Sequence, residues 1–326
     1  MGRRALVTGI GGQDGSYLAE LLLGHGYDVF GTVLGNPEQY ETLAPFRERL
    51  RFVELDLEVA DDVRRALGDI EPDEVYHLAS ASFVPASWDD PVTTSTVAVG
   101  AVAALLDGIR REQPEARFVN AASADIFGSP IESPQTEETP VAPLTPYGAA
   151  KAFGHFLTAS FRRRYGLHSS SAILFNHESP RRPTQFLTRK VTHGAAAISL
   201  GLEDELRLGD LSARRDWGFA GDYVRALWLM ASQDEPDDYV IATGESHTVE
   251  EFVAAAFDEV GVDWRDRVRF DESFARGAAD APELVGEPSK ARDRLGWEAE
   301  LGFRGLVRLM VQADLELLSD QATRPR

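Results

Sequence analysis

The opening of the chain, Arg4-Ala-Leu-Val-Thr-Gly-Ile-Gly-Gly-Gln-Asp-Gly-Ser-Tyr-Leu-Ala-Glu-Leu-Leu-Leu23, restricts the fold more than any other segment. Ala5 to Val7 is a short apolar run that reads as a strand, and Gly9, Gly12 and Gly15 follow it at G-x-x-G-x-x-G spacing. Leu18, Leu21 and Leu22 then recur on one side of a helix that Gly24-His25-Gly26 stops. Glycines let a backbone turn tightly and approach a pyrophosphate, which sits at the positive end of the helix that follows. A glycine triplet alone would also serve an ordinary strand-to-helix turn, so its weight depends on what lies downstream.

Downstream, strand-like and helix-like stretches alternate. Candidate strands are Arg4–Gly9, Asp28–Val33, Arg51–Asp56, Glu74–Ala79, Arg117–Ser123 and Ser169–Asn176. Helical patterns fall between them at Gly15–Leu23, Ala60–Leu67, Val92–Arg111 and Tyr147–Arg164, and the Pro-rich Ser129–Pro146 reads as a loop over a site. Such alternation implies an α/β fold, a Rossmann-type doubly wound parallel sheet with right-handed crossovers. After Asn176 the order loosens into helices, two short strands (Glu205–Leu211, Tyr239–Gly244) and a long helix, Gly302–Leu318. The expected division is a dinucleotide-binding domain over 1–176 and a smaller α/β substrate domain over 177–326, with elements free to interleave. Residues after Asp320 read as a disordered tail.

Pro146-Tyr-Gly-Ala-Ala-Lys151 opens the fourth helix. The chain has three lysines (Lys151, Lys190, Lys290) among 33 basic residues, so chance rarely places a lysine four residues after a tyrosine. On a helix the two share a face, and an ammonium beside a phenol favours the phenolate, lowering the tyrosine pKa towards a usable general base. Arginine would offer a flat fork in place of a compact donor. The glycine loop and this pair together resemble the extended short-chain dehydrogenase/reductase superfamily, whose members work on nucleotide sugars.

Size and composition bound the rest. A chain of 326 residues, 43% hydrophobic and 26% charged, can bury a substantial core. No signal peptide, membrane span or membrane partner is expected, and zero cysteines exclude disulfides, thiolate nucleophiles and Cys-based zinc sites. A cytoplasmic address fits. A net charge of −20 argues against nucleic acid as a partner. An anionic ligand then calls for concentrated cations, and Arg181-Arg182, Arg189-Lys190 and Arg214-Arg215 are the candidate clamps; pairing with surface carboxylates is the alternative for each.

Longer motifs narrow the resemblance. Gly11-Gly-Gln-Asp-Gly-Ser-Tyr-Leu18, Ile173-Leu-Phe-Asn-His-Glu-Ser-Pro-Arg-Arg182, Phe186-Leu-Thr-Arg-Lys190, Leu208-Gly-Asp-Leu-Ser-Ala-Arg-Arg-Asp-Trp-Gly218 and Glu287-Pro-Ser-Lys-Ala-Arg-Asp-Arg-Leu-Gly-Trp297 look like GDP-mannose 4,6-dehydratases. The resemblance implies that Tyr147 removes the proton of the sugar's 4-hydroxyl while hydride passes to a nicotinamide, with Lys151 holding the nicotinamide ribose and Ser123 hydrogen-bonding the sugar. It places Gly9, Gly12, Gln13, Asp14, Gly15, Asp56, Leu57, Leu78, Ala79, Ser80, His177 and Arg182 at the cofactor. Asn176 and Arg215 would hold the sugar nucleotide's diphosphate, Lys190 its base, and Arg276 a phosphate or ribose. Asp125 would be the base at carbon 5 that lets water leave carbon 6.

Two departures keep alternatives open. The family's Thr-Ser-Glu is here Ser123-Ala124-Asp125, a base shorter by one methylene, and Gly-Ala-Ala-Asp-Ala after Arg276 lacks the glutamate that binds ribose hydroxyls. Decarboxylation of UDP-glucuronate, epimerisation and 4-keto reduction share the opening oxidation, and decarboxylation needs no base at carbon 5. A non-catalytic dinucleotide sensor would not need the Tyr147–Lys151 pair. The second strand ends Gly31-Thr-Val-Leu-Gly-Asn36, without an acid for a free ribose hydroxyl or an arginine for a ribose phosphate, which favours NAD over NADP. Extra apolar residues on two helices (Val97, Val99, Val102, Leu105, Leu106; Phe153, Phe156, Leu157, Phe161) imply a homodimer or homotetramer built on a four-helix bundle.

Overall fold

The computed structural model describes residues 2–80, 82–272 and 283–323. Six apolar runs of the first half become strands: β1 (Arg4–Thr8), β2 (Asp28–Thr32), β3 (Arg51–Val53), β4 (Glu74–His77), β5 (Arg117–Ser123) and β6 (Ser169–Leu174). Between them lie α1 (Gln13–Gly24), α2 (Ala60–Ile70), α3 (Ala86–Asp89), α4 (Pro91–Glu112) and α5 (Pro146–Tyr165). The second half adds β7 (Asn176–Glu178), α6 (Leu187–Ser199), β8 (Leu206–Leu208), β9 (Arg214–Arg215), β10 (Trp217–Phe219), α7 (Ala220–Ala231) and β11 (Tyr239–Ile241). It ends with β12 (His247–Thr248), α8 (Val249–Glu259), β13 (Val268–Phe270), β14 (Glu283–Leu284), α9 (Ser289–Leu295) and α10 (Phe303–Thr323).

The main sheet is parallel and runs β11-β6-β5-β4-β1-β2-β3. Strand order reverses between β1 and β4, and the two halves of such a sheet part there to leave a crevice beyond the strand ends. Every residue of β4 and β6 is buried, as expected of strands covered on both faces. Leu18 and Leu22 of α1 pack with Val224 and Leu227 of α7 on one side. Val63 and Leu67 of α2 pack with Leu105, Leu106 and Ile109 of α4 on the other. By length and composition α4 could cross a membrane; in this fold its apolar stripe, Ala101, Val102, Leu105, Leu106 and Ile109, is a core face.

Three expectations shift. Ser169–Asn176 is not one strand: β6 stops at Leu174, and β7 leaves the sheet to pair in parallel with β10, Asn176 opposite Trp217. Tyr239–Ile241, placed by sequence among the substrate elements, pairs with β6 at the edge of the main sheet, and Phe175 N–H donates to Ile241 O at 3.0 Å. The last helix runs on to Thr323, past the point where an irregular tail was expected.

The remaining elements form a second core, in which α6, α8 and α10 close around Val191, Phe252, Val253, Val307 and Met310. A polar tie crosses it. Arg189 grips Asp314 with two bonds (Nε–Oδ2 3.1 Å, Nη2–Oδ1 2.5 Å), and Thr192 Oγ1 donates to Asp314 Oδ2 at 2.7 Å. Asp314 has no exposed surface. The Arg189 guanidinium is thus committed to the fold and is not the anion clamp the sequence suggested. Removing one member of a buried ion pair strands the other charge, so Arg189→Met should cost about 3–5 kcal/mol. Urea unfolding of Arg189→Met and of Arg189→Met/Asp314→Leu checks this, with most of the loss recovered in the double variant; equal losses would refute it.

Candidate functional site

The crevice begins at the turn after β1. Gly9 has φ +69°, and a Cβ there would lie 2.9 Å from Ala79 Cα. A Cβ on Gly15 would lie 2.4 Å from Gly9 O and 2.6 Å from Ile10 Cα, so neither position admits a larger residue without moving backbone. Thr8 Oγ1 receives the N–H groups of Leu78 and Ala79 at 3.1 Å each and donates to His77 Nδ1 at 2.9 Å. Burial, then the nearby Lys151 charge, hold His77 down at about 3, so it is neutral and can accept that proton. The ends of β1 and β4 are thereby pinned together. α1 starts at Gly12 with no side-chain cap, which leaves its first N–H groups available to an anion. This turn, with backbone packed on backbone at Gly9 and Gly15 and an uncapped helix start behind it, fits the diphosphate of a dinucleotide.

The residues expected along the cofactor differ in setting. Leu57 and Leu78 are partly buried against the core, while Asp56 is exposed and accepts the Glu58 N–H at 2.9 Å. Ser80 is half-buried at the crevice. Beyond β2, Leu34 is exposed and Asn36 accepts the Glu38 N–H at 3.0 Å. Arg47 is held by Glu38 Oε2 at 2.6 Å and by the Tyr40 carbonyl at 3.0 Å.

Across the crevice, α5 brings Tyr147 and Lys151 to the end of β5. Thr145 caps the helix through the Gly148 N–H at 2.9 Å. Lys151 Nζ donates to the Ala121 carbonyl at 2.9 Å and lies 5.7 Å from the Tyr147 ring centroid. Ser123 Oγ donates to Asp125 Oδ2 at 3.1 Å and accepts the Asp125 N–H at 3.2 Å, and its hydroxyl dipole acts on the Tyr147 phenol. Four groups from one strand end and one helix therefore converge. Their electrostatics differ from the sequence expectation. Burial, followed by the Asp125 charge, pushes the Tyr147 phenol upward, against the opposing Ser123 hydroxyl and Arg182 charge. Burial lowers Lys151 to about 8, with Asp14 and Asp125 pulling the other way. Desolvation and a carboxylate thus outweigh the neighbouring ammonium, which is occupied by a carbonyl.

Each basic doublet divides its labour. Arg181 is paired with Glu20 at 2.6 Å and lies 3.9 Å over the Tyr17 ring. Arg182 stacks 3.7 Å over Phe186, touches Glu178 loosely at 3.3 Å, and its charge is felt by Asp14, His177 and Tyr147. Arg214 bonds Ser246 O and Glu283, and Arg215 is buried with Nη1 donating to the Arg214 carbonyl at 2.7 Å. Lys190 is half-buried, its pKa lowered by burial against the opposing Asp271 charge. Arg189, Arg181 and Arg214 are structural, whereas the Arg182 charge reaches the Tyr147 cluster. Asn176 lies half-buried on β7 opposite Trp217, two residues from Arg215. Arg276 lies outside the described residues. Lys290 is bound to Asp237 at 2.7 Å and to the Asp238 carbonyl at 2.8 Å, far from this chemistry.

Sequence reasoning passed over three supports. Thr8 is one, legible as a polar end to an apolar strand. Ser179 is the second: its Oγ donates at 2.8 Å to Oε1 of Gln13, a residue the sequence put at the cofactor, and so ties α1 to the end of β7. Asp216 accepts from Thr243 N, Thr243 Oγ1, Gly244 N and Gly286 N within 3.3 Å, and burial still raises it to about 6. Its sequence signal is only its place after Arg214-Arg215.

Comparison with known proteins gives the chemistry a context. Residues 6–310 match the family described as GDP-mannose 4,6 dehydratase. GDP-mannose 4,6 dehydratase 2 of Arabidopsis thaliana is 44% identical over 327 residues, spanning 96% of this chain and 87% of that protein. The GDP-mannose 4,6-dehydratase of Yersinia enterocolitica is 37% identical over 358 residues, spanning 98% and 96%. Among solved structures, a dTDP-glucose 4,6-dehydratase from Streptomyces venezuelae with NAD and TYD bound superposes with a TM-score of 0.84 at 25% identity, covering 96% of this chain and 97% of that one. A UDP-glucose 4-epimerase from Thermus thermophilus in complex with NAD gives 0.82 at 28% identity, covering 95% and 98%.

Because the Asp125 charge raises the Tyr147 phenol, Asp125→Asn should lower the pH at which that phenol ionises. Tyrosinate absorbance, taken as the difference from the same protein carrying Tyr147→Phe, measures it. An unmoved or rising transition would show that the phenol does not feel the carboxylate.

Proposed function

The chain belongs to the GDP-mannose 4,6-dehydratase family, and we propose that it removes water across carbons 5 and 6 of GDP-mannose with a tightly held nicotinamide dinucleotide. The observation that carries this reading is the convergence of Ser123, Asp125, Tyr147 and Lys151 beside the glycine cradle, within a family match over residues 6–310.

In this reading Gly9, Gly12, Gln13 and Gly15 seat the dinucleotide's diphosphate, with Asp14 beside them paired to His177 and with Asp56, Leu57, Leu78, Ala79 and Ser80 along the adenosine and nicotinamide halves. Lys151 holds the nicotinamide ribose as an ammonium, and His177 and Arg182 close the far side. A nicotinamide dinucleotide held there would supply the hydride acceptor for carbon 4 and the hydride donor for carbon 6. Tyr147 accepts the 4-hydroxyl proton as a phenolate; the upward push on its phenol must be relieved as the site fills, because a phenol that keeps its own proton cannot take another. Ser123 orients the same hydroxyl. Asp125 removes the proton from carbon 5, made acidic by the carbon 4 ketone, and passes it to the departing carbon 6 hydroxyl, which leaves as water; the proton taken up by Tyr147 then returns to carbon 5 as carbon 6 is reduced. Asn176 and Arg215 hold the substrate diphosphate, Lys190 the guanine, and Arg276 a phosphate or ribose oxygen.

The short Ala124-Asp125 pair favours one rival, decarboxylation of UDP-glucuronate, in which the ketone absorbs the electrons and no base is needed at carbon 5. Cofactor-stripped protein reconstituted with NAD or NADP and given each sugar nucleotide, followed by mass spectrometry, decides. Loss of water from GDP-mannose is expected, faster with NAD, and Tyr147→Phe should cut turnover about 10²–10⁴-fold. Loss of carbon dioxide from UDP-glucuronate alone would overturn the reading.

Association follows from the same helices, on fewer residues than the sequence suggested. Val102, Leu105 and Leu106 are buried in the protomer's own core, and Leu157 and Phe161 pack against it. Trp88, Val92, Phe153 and Phe156 stay exposed where α3 packs on α4 and α5. Large exposed apolar side chains gathered on one face mark a contact surface, and we assign them to a two-fold homodimer. Sedimentation at micromolar concentration should show a dimer that Phe156→Glu dissociates; monomer throughout would refute it.

A further inference from the structure

A second polar cluster, separate from the Tyr147 group, joins the phosphate turn to β7. Gln13 Nε2 donates to the His177 carbonyl at 3.1 Å and to Asp14 Oδ1 at 3.0 Å. The His177 ring lies between two oxygens, with Nδ1 2.7 Å from the Phe175 carbonyl and Nε2 2.9 Å from Asp14 Oδ2. A carbonyl can only accept, so Nδ1 carries a proton. A single proton therefore bridges Nε2 and Asp14 Oδ2, and with Gln13 Nε2 donating to Oδ1 and the Arg182 charge favouring the carboxylate, that proton rests on the ring. The pair is an imidazolium and a carboxylate. Burial lowers the basicity of His177, but the charge and hydrogen bond of Asp14 outweigh it and the histidine ends above its ordinary range. Burial likewise works against the Asp14 carboxylate, which His177, Gln13 and Arg182 nevertheless hold at about 2.

Asp14 is the second residue of α1, at the helix end where a diphosphate would seat. An unpaired carboxylate there would repel that anion. We propose that His177 is a positioning residue whose positive charge cancels that of Asp14 at the phosphate turn, so that the turn accepts the diphosphate of the dinucleotide. The inference rests on the dinucleotide-binding part of the reading above and is independent of which sugar is processed. The other groups around the ring are accounted for. Arg182 disfavours the imidazolium while favouring the carboxylate. From α7 the Tyr223 ring stacks on His177 at 4.8 Å, its phenol pushed up by burial and by Asp216, Asp222 and Glu178. From α5, Lys151 and Tyr147 both feel Asp14.

The test is NAD binding to cofactor-stripped protein by calorimetry, without sugar and near neutral pH, where Lys151 keeps its proton. NAD serves because its diphosphate holds a constant charge. His177→Gln leaves Asp14 uncompensated, and its affinity should fall about tenfold or more. Asp14→Asn/His177→Gln should recover affinity relative to His177→Gln, since no charge is then left to cancel. Parent-like binding by His177→Gln, or no recovery in the double variant, would overturn the proposal; a merely structural clasp would be damaged further by the second change. Should His177→Gln not fold, histidine ¹⁵N resonances decide: two protonated nitrogens at neutral pH in the parent, one lost in Asp14→Asn, are expected, and a neutral ring in the parent would overturn it. A protein that binds NAD in this pattern yet turns over no sugar would sink the enzymatic reading and leave this one standing.

Discussion

The close approach of Gly9 to Ala79 organises the molecule. At a sheet's switch point the connections of two neighbouring parallel strands leave in opposite directions, and the crevice opens between them beyond the strand ends. Here the two strand ends are held together without side-chain bulk, by a glycine that admits the β4 backbone, and with one hydroxyl, Thr8, that satisfies two N–H groups which would otherwise be stranded at a strand end. The pinned ends border the crevice. α1 points its open N-terminus into it from one side, and α5 delivers Tyr147 and Lys151 from the other.

Charge in the crevice is arranged by burial first and by pairs second. Desolvation raises the Tyr147 phenol and lowers Lys151, His77 and, before its partner acts, His177. Each is displaced towards its neutral form, the ordinary result of removing water. Carboxylates then select which groups stay charged: Asp14 keeps His177 cationic, and Asp14 and Asp125 together support Lys151. The site is therefore not a basic patch on an acidic protein but a small set of matched charges. The pairing has a defined pH range. The stabilisation from His177 is complete below its ordinary pKa of about 6.5 and is lost as pH rises through its raised value. The stabilisation from Asp14 is present above the ordinary carboxylate range and is lost as pH falls through about 2.

What could be read from the sequence depended on whether the controlling partner was near in sequence. The sheet, the glycine turn, Ser123, Tyr147 and Lys151 are local patterns: periodicity, spacing and a scarce residue type. The β6 end was misread because Leu174-Phe-Asn continues an apolar run without punctuation, and only the competing pair β10 draws it away from the sheet. The arginine doublets were half misread for a related reason. Arg181, Arg189 and Arg214 are claimed by Glu20, Asp314 and Glu283, which lie 161, 125 and 69 residues away. The lowered phenol pKa expected from Lys151 failed because helical spacing reports proximity, whereas burial and the lysine's bond to Ala121 O are set by tertiary packing.

In the proposed reading the doublets also let a chain with net charge −20 receive two anionic ligands. One member of each doublet is anchored by a carboxylate or, for Arg214, by Glu283 together with a backbone carbonyl, so the local backbone is fixed at that point. Its neighbour is then carried on a rigid segment: Arg182 beside the stacked Phe186, Lys190 on the first turn of α6, Arg215 within β9. A long cationic side chain loses less freedom on meeting a phosphate when its backbone is already ordered. Surplus acid elsewhere supplies those anchors, which is why a strongly acidic composition and anion binding are compatible in one small sheet protein.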